Sequence, residues 1–114
     1  MKKHYLIMGD PDTGKSHLAK LITENKKTAI LEGYMLNRPF VFTSCSRDTE
    51  FIIVDDVIDK YIDDVIRIAL CDTIKVNKPH EDSFEISPKF IIVTRNKIEI
   101  NQVIKNNFFI YEAK

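Results

Sequence analysis

Neither sign of charge is in excess in this sequence: Lys and Arg total 17, and so do Asp and Glu. A global basic field that would draw the chain onto nucleic acid is therefore missing, while a local patch stays open. Cysteine is equally sparse. Cys45 and Cys71 are the only two, each in or beside an apolar segment, and a pair with no nearby His cannot make a zinc site. Two buried free thiols in a reducing, cytoplasmic compartment are the expectation. No apolar run approaches the roughly 18 residues of a membrane helix. Only Tyr5-Leu6-Ile7-Met8 separates the basic start from Gly9, too little for a secretory signal. Repeats, low-complexity stretches and linkers are lacking as well. With 44% apolar residues in 114, the composition reads as one globular domain over 1–114.

Glycine is also rare, and two of the three glycines stand close together. Gly9-Asp10-Pro11-Asp12-Thr13-Gly14-Lys15-Ser16 reads G-x-x-x-x-G-K-S, the phosphate-binding loop known as Walker A. Its context fits. Tyr5–Met8 is a short apolar strand running into it, and His17-Leu18-Ala19-Lys20-Leu21-Ile22 leaves it with helical spacing. Each residue type has a physical reason. Gly9 and Gly14 let the backbone approach a phosphate and turn its N–H groups inward. The helix beginning near Lys15 points its N-terminus at the same anion. Lys15 is placed to reach the terminal phosphates, and Ser16 to offer its hydroxyl to Mg²⁺. The nucleotide contacts expected are Gly9, Asp10, Pro11, Asp12, Thr13, Gly14, Lys15, Ser16 and His17.

Strand and helix patterns alternate along the chain, which predicts an α/β fold with a mostly parallel sheet covered by helices. A helix is expected over Lys15–Asn25, and a strand near Thr28–Leu31. Phe40-Val41-Phe42 reads as a short strand or a packed loop. Phe51-Ile52-Ile53-Val54 is a continuous apolar run of the buried parallel type. Val57, Ile58, Tyr61, Ile62, Val65, Ile66 and Ala69 then recur with helical period. Ile74–Val76 and Phe84–Ile86 alternate around Pro79-His80-Glu81-Asp82 and predict a β-hairpin. Phe90–Val93 is another buried strand, and Phe108–Tyr111 the last.

Asp55 and Asp56 follow the strand Phe51–Val54 directly. An apolar strand ending in an acid brings a carboxylate to the open end of a parallel sheet, where ligands gather. Asp55 is placed to hold Mg²⁺ and Asp56 to orient or deprotonate a water. The alternative for Asp56 is an N-cap on a helix beginning at Val57. The strand Phe90–Val93 ends in Thr94-Arg95-Asn96, and a polar side chain there can bond the terminal phosphate or the lytic water. Asn96 is the candidate and Thr94 its rival; both can equally end a strand and start a turn.

Taken together, Gly9–Ser16, Phe51–Asp56 and Pro88–Asn96 resemble motifs A, B and C of superfamily 3 helicases, members of the AAA+ class of P-loop ATPases. Asp48-Thr49-Glu50 and Ile74-Lys75-Val76-Asn77-Lys78 are similar to the corresponding segments of these phage, plasmid and viral replication proteins. The resemblance runs from about Tyr5 to Tyr111. It implies a three-layer P-loop core of about five strands, ATP and Mg²⁺ as ligands, and an oligomer or a larger replication protein as partner. It also implies a hairpin lysine, Lys75 or Lys78, against single-stranded DNA; by itself a hairpin lysine is more often solvated edge charge. An arginine finger is implied shortly after motif C, yet Lys97–Asn107 contains no arginine, and Lys105 is the nearest basic substitute. A lid domain after the last strand is not expected from these residues.

Three functions fit. The first is a Mg-ATP-hydrolysing, helicase-like module in the replication of a phage or mobile element. The second is a nucleotide-binding regulatory or assembly module with little or no turnover. The third is a small-molecule or nucleotide kinase. The chain's only arginines are Arg38, Arg47, Arg67 and Arg95, which offers no arginine-lined lid for a kinase.

Overall fold

A computed structural model describes residues 3–10, 13–32, 42 and 44–113. The elements run β1 (His4–Gly9), α1 (Lys15–Ile22), β2 (Thr28–Glu32), β3 (Phe51–Asp55), α2 (Asp59–Ala69), β4 (Ile74–Val76), β5 (Phe84–Ile86), β6 (Lys89–Thr94), α3 (Gln102–Asn107) and β7 (Phe108–Ala113). Five strands form a sheet in the order β2-β3-β6-β1-β7, every pairing parallel. The hairpin stands apart as a two-stranded antiparallel sheet, with Ile74 opposite Ile86 and Val76 opposite Phe84. The expected fold class is the observed one: three layers, with helices on both faces of a parallel sheet.

The period-2 alternation of strand side chains divides the core. Leu6, Met8, Ile52, Val54, Phe90 and Ile92 face one way and pack with α2, the hairpin and Ile104 of α3. Ile7, Phe51, Ile53, Ile91 and Val93 face the other way, beneath Ala19, Leu18 and Ile22 of α1. Burial on both faces explains why β3 and β6 read as unbroken apolar runs. His4 is buried at the start of β1, where its Nδ1 accepts the Phe90 N–H at 2.9 Å.

Several boundaries differ from expectation. Helix α1 ends at Ile22 rather than Asn25, because the Thr23 hydroxyl bonds back to the Ala19 carbonyl at 3.1 Å and Asn25 takes a left-handed φ of 63°. Helix α2 begins at Asp59, capped by Ile58 without a side-chain bond, so Val57 belongs to the loop and is buried there. Asp56 is therefore not the N-cap of this helix. Helix α3 was not expected; its signal is Asn101, whose side chain accepts the Ile104 N–H at 2.9 Å. In Phe40-Val41-Phe42, the first two residues lie outside the described residues. No helix among those described is long and apolar enough to cross a membrane.

Candidate functional site

The carboxyl ends of β2, β3 and β6 and the start of α1 open onto one cavity of about 470 Å³, lined by Gly14, Lys15, Ser16, His17, Glu32, Asp55, Asp56, Val93 and Arg95. Strand order accounts for the site. Strand β6 lies between β1 and β3, so the loop after β1 and the acids after β3 flank the end of β6.

The glycine-lysine loop starts from a tight contact. A Cβ on Gly9 would lie 2.7 Å from the Ala113 carbonyl oxygen and 3.0 Å from Thr13 Oγ1. Gly14 has open space around it but a left-handed φ of 84°, which disfavours any side chain. The Thr13 hydroxyl donates to the Asp10 carbonyl at 2.7 Å, and Lys15 Nζ curls back to donate to the same oxygen at 2.6 Å. The N-terminus of α1 has no side-chain cap bond and no acid in its first turn. Uncapped N–H groups beside a lysine suit an anion. Pro11 and Asp12 lie outside the described residues.

Facing this loop, the Ser16 hydroxyl donates to Asp55 Oδ1 at 3.4 Å, across 39 positions of sequence. A hydroxyl and a carboxylate form a hard oxygen pair, and Mg²⁺ is commonly held by one or two carboxylates completed by substrate phosphates and water. The residues present fit that ion. Asp56, one residue on, has a left-handed φ of 53° and is half exposed. Its carboxylate is gripped by Arg95: Nε donates to Oδ1 at 3.0 Å, and Nη2 to Oδ1 and Oδ2, each at 2.9 Å.

Beneath this pair the backbone is stitched. The Val57 N–H donates to the Val93 carbonyl at 2.9 Å. The fully buried Thr94 donates its hydroxyl to the Val57 carbonyl at 2.6 Å and accepts the Asn96 N–H at 3.1 Å. Thr94 thus faces inward, Arg95 lines the cavity, and Asn96, half-buried, is not among its lining residues. Arg95 and Glu32 are cavity residues to which the sequence alone attaches no role. The available signal was position alone, since each stands at the carboxyl end of a parallel strand or next to it.

The hairpin lysines are separate from this cavity. Lys75 is exposed, in register opposite Glu85. Lys78 lines a second cavity of about 430 Å³ with Ser46, Arg47, Glu81, Asp82 and Phe84, where the Arg47 guanidinium stacks 4.6 Å from the Phe84 ring centre. Lys105 is exposed on α3. The segment before β3 is built by local bonds: Thr49 Oγ1 accepts the Ser46 N–H at 2.8 Å, Glu50 accepts the Lys27 N–H at 3.0 Å, and the Ser46 hydroxyl donates to Asp48, holding that carboxyl below its usual range.

No protein-family profile matches the chain, and no curated protein does. Solved structures do. The A form apo structure of the NrS-1 C-terminal region aligns over 97% of this chain with a TM-score of 0.72 and 18% identity. A further apo structure, of the NrS-1 C-terminal region (305–718), aligns over 96% with a TM-score of 0.68 and 17% identity. The X-ray structure of JCV helicase aligns over 99% with a TM-score of 0.57 and 17% identity. The chain spans 29% of the NrS-1 region and 36% of the JCV helicase chain. These likenesses establish a shared fold, that of a helicase structure in the last case.

Proposed function

We propose that this chain is a Mg-ATP-binding P-loop ATPase core, a helicase-like module of the AAA+ class acting in DNA replication of a phage or mobile element. One observation carries the reading: Lys15, Ser16, Asp55 and Asp56 line a single cavity at the start of α1 and the carboxyl end of β3. The loop N–H groups and Lys15 bind the phosphates. Ser16 and Asp55 hold Mg²⁺, which when bound neutralises phosphate charge. Asp56 orients the attacking water, with Asn96 as the candidate polar group at the β6 tip, because the buried Thr94 hydroxyl is committed to the Val57 carbonyl. Lys75 and Lys78 are the candidates for single-stranded DNA, and hydrolysis proceeds in an oligomer.

A second reading, a nucleotide-gated assembly module with little turnover, is favoured by two observations. Asp56 is occupied by Arg95, and Lys97–Asn107 supplies no arginine to a neighbour. Phosphate release from Mg·ATP, measured against protein concentration with and without single-stranded DNA, separates the two. A more than linear rise with protein, stimulated by DNA and abolished by Lys15→Ala, supports the ATPase. Mg·ATP binding without release supports the gated module. Unchanged nucleotide affinity in Lys15→Ala removes both.

A further inference from the structure

Two cations line the main cavity beside His17, and only one of them has a role so far. Lys15 belongs to the loop. Arg95 stands at the tip of β6 and lines the cavity together with the carboxylates Glu32, Asp55 and Asp56. Its three donor contacts to Asp56, all between 2.9 and 3.0 Å, use the planar fork that matches a phosphate as well as a carboxylate. The pair is about half exposed on both sides, 52% and 50%, so water screens it and the grip is weak. The main chain under it is fixed. The Val57-to-Val93 bond and the Thr94 hydroxyl on Val57 hold the backbone of residues 56 and 95 side by side. This is a half-exposed fork on a hydrogen-bonded base, with one carboxylate as its present occupant. Lys97 stands apart from the main cavity: it reaches Glu112 at 3.3 Å and lines a neighbouring cavity that Arg95 also borders.

We propose that Arg95 is the residue that distinguishes a nucleoside triphosphate from a diphosphate, acting within its own chain. In the free protein its guanidinium holds Asp56. When a triphosphate enters, the fork moves from the carboxylate to the terminal phosphate, and Asp56 is released to face water. A diphosphate presents no group at that position and leaves the Arg95–Asp56 pair closed. The site thereby couples phosphate recognition to liberation of its own acid, and it needs no arginine from Lys97–Asn107. This inference rests on the nucleotide-binding reading above.

The test compares Mg·ATP and Mg·ADP affinities by calorimetry in four proteins: the unaltered chain, Arg95→Ala, Asp56→Asn and the double variant, with Lys15→Ala as control. Arg95→Ala is expected to weaken ATP binding about tenfold or more, the scale of a lost charge-assisted bond, while ADP binding stays the same. Arg95→Lys should recover only part of the loss, because an ammonium lacks the fork. Asp56→Asn frees Arg95 and is expected to tighten ATP binding about threefold, by loss of a surface pair, with no gain in the double variant. Equal losses for ATP and ADP in Arg95→Ala would overturn the proposal. So would a gain from Asp56→Asn that survives without Arg95, which would mean that Asp56 acts by charge alone. If ADP binding depends on Lys15 but the ATP-to-ADP ratio ignores Arg95, only this inference falls. If neither nucleotide binds, the underlying reading falls with it.

Discussion

The two walls of the cavity are built in opposite ways. The loop wall is local in sequence, Gly14 to His17, and backbone constraints shape the loop it belongs to: no room for a Cβ at Gly9, a left-handed turn at Gly14, and a lysine folded back on its own loop. The acid wall is assembled from residues 39 positions apart, Asp56 and Arg95, over a base of main-chain and hydroxyl bonds. The first wall is made by what the chain cannot do, the second by which partners happen to meet. The loop wall should therefore break when atoms are added, and the acid wall when polar partners are removed.

The largest effect is expected at Gly9. A valine there drives its side chain into the Ala113 carbonyl, a backbone group that cannot swing away, and Gly9→Val should cost about 3 kcal/mol or more by denaturant unfolding. Next is the base of the acid wall. Thr94→Val keeps the volume but removes the donor to the buried Val57 carbonyl, so a loss of about 1–3 kcal/mol is expected in the same measurement. Gly14→Ala meets no neighbour, and only its left-handed φ resists, so about 1–2 kcal/mol is expected. A larger loss at Gly14 than at Gly9 would reverse the assignment of steric and conformational causes within the loop.

Arg95→Ala, for all its expected effect on ATP, should change stability by less than about 1 kcal/mol, because the pair it leaves is half in water. A stability loss as great as that of Thr94→Val would make the pair a structural strut. The smallest effect concerns thiols outside both walls. Burial pushes the Cys45 thiol up from its ordinary 9.0 to about 11, with the Lys78 charge pulling the other way, whereas Cys71 is exposed. The raised value favours the protonated thiol in the folded chain. Its stabilisation is fully present below pH 9 and is lost as pH rises from 9 toward 11. Alkylation of the native protein at pH 8 should therefore modify Cys71 and spare Cys45 until the chain is unfolded.

The same contrast governs what could be read from the sequence. The alternation of strands and helices, the hairpin and the fully buried runs at β3 and β6 follow from periodicity, which is local. The glycine-lysine loop is legible for the same reason, since its spacing is contained in eight residues. The grip of Arg95 on Asp56 was not legible. Nothing in Thr94-Arg95-Asn96 says which of three successive side chains turns inward, and that is decided by the strand's pleat and by the Val57 carbonyl waiting for a hydroxyl. Helix α3 was missed because it is only six residues long and buries a single side chain, Ile104, too little to show a period. The early stop of α1 lay in the Thr23 hydroxyl, a residue type whose preference for bonding its own backbone outweighs one more helical turn.

The place of β6 has a consequence for how the chain comes to be folded. Strands β1 and β3 both precede β6 in sequence, yet in the finished sheet they never touch; each pairs with β6, whose residues begin at Lys89. A nascent chain shorter than that holds both strands with an unsatisfied edge, a state inclined to pair with other chains. In the finished sheet β6 closes both of these edges and carries Arg95 to Asp56. The meeting of Arg95 with Asp56 and the completion of the sheet thus depend on the same strand.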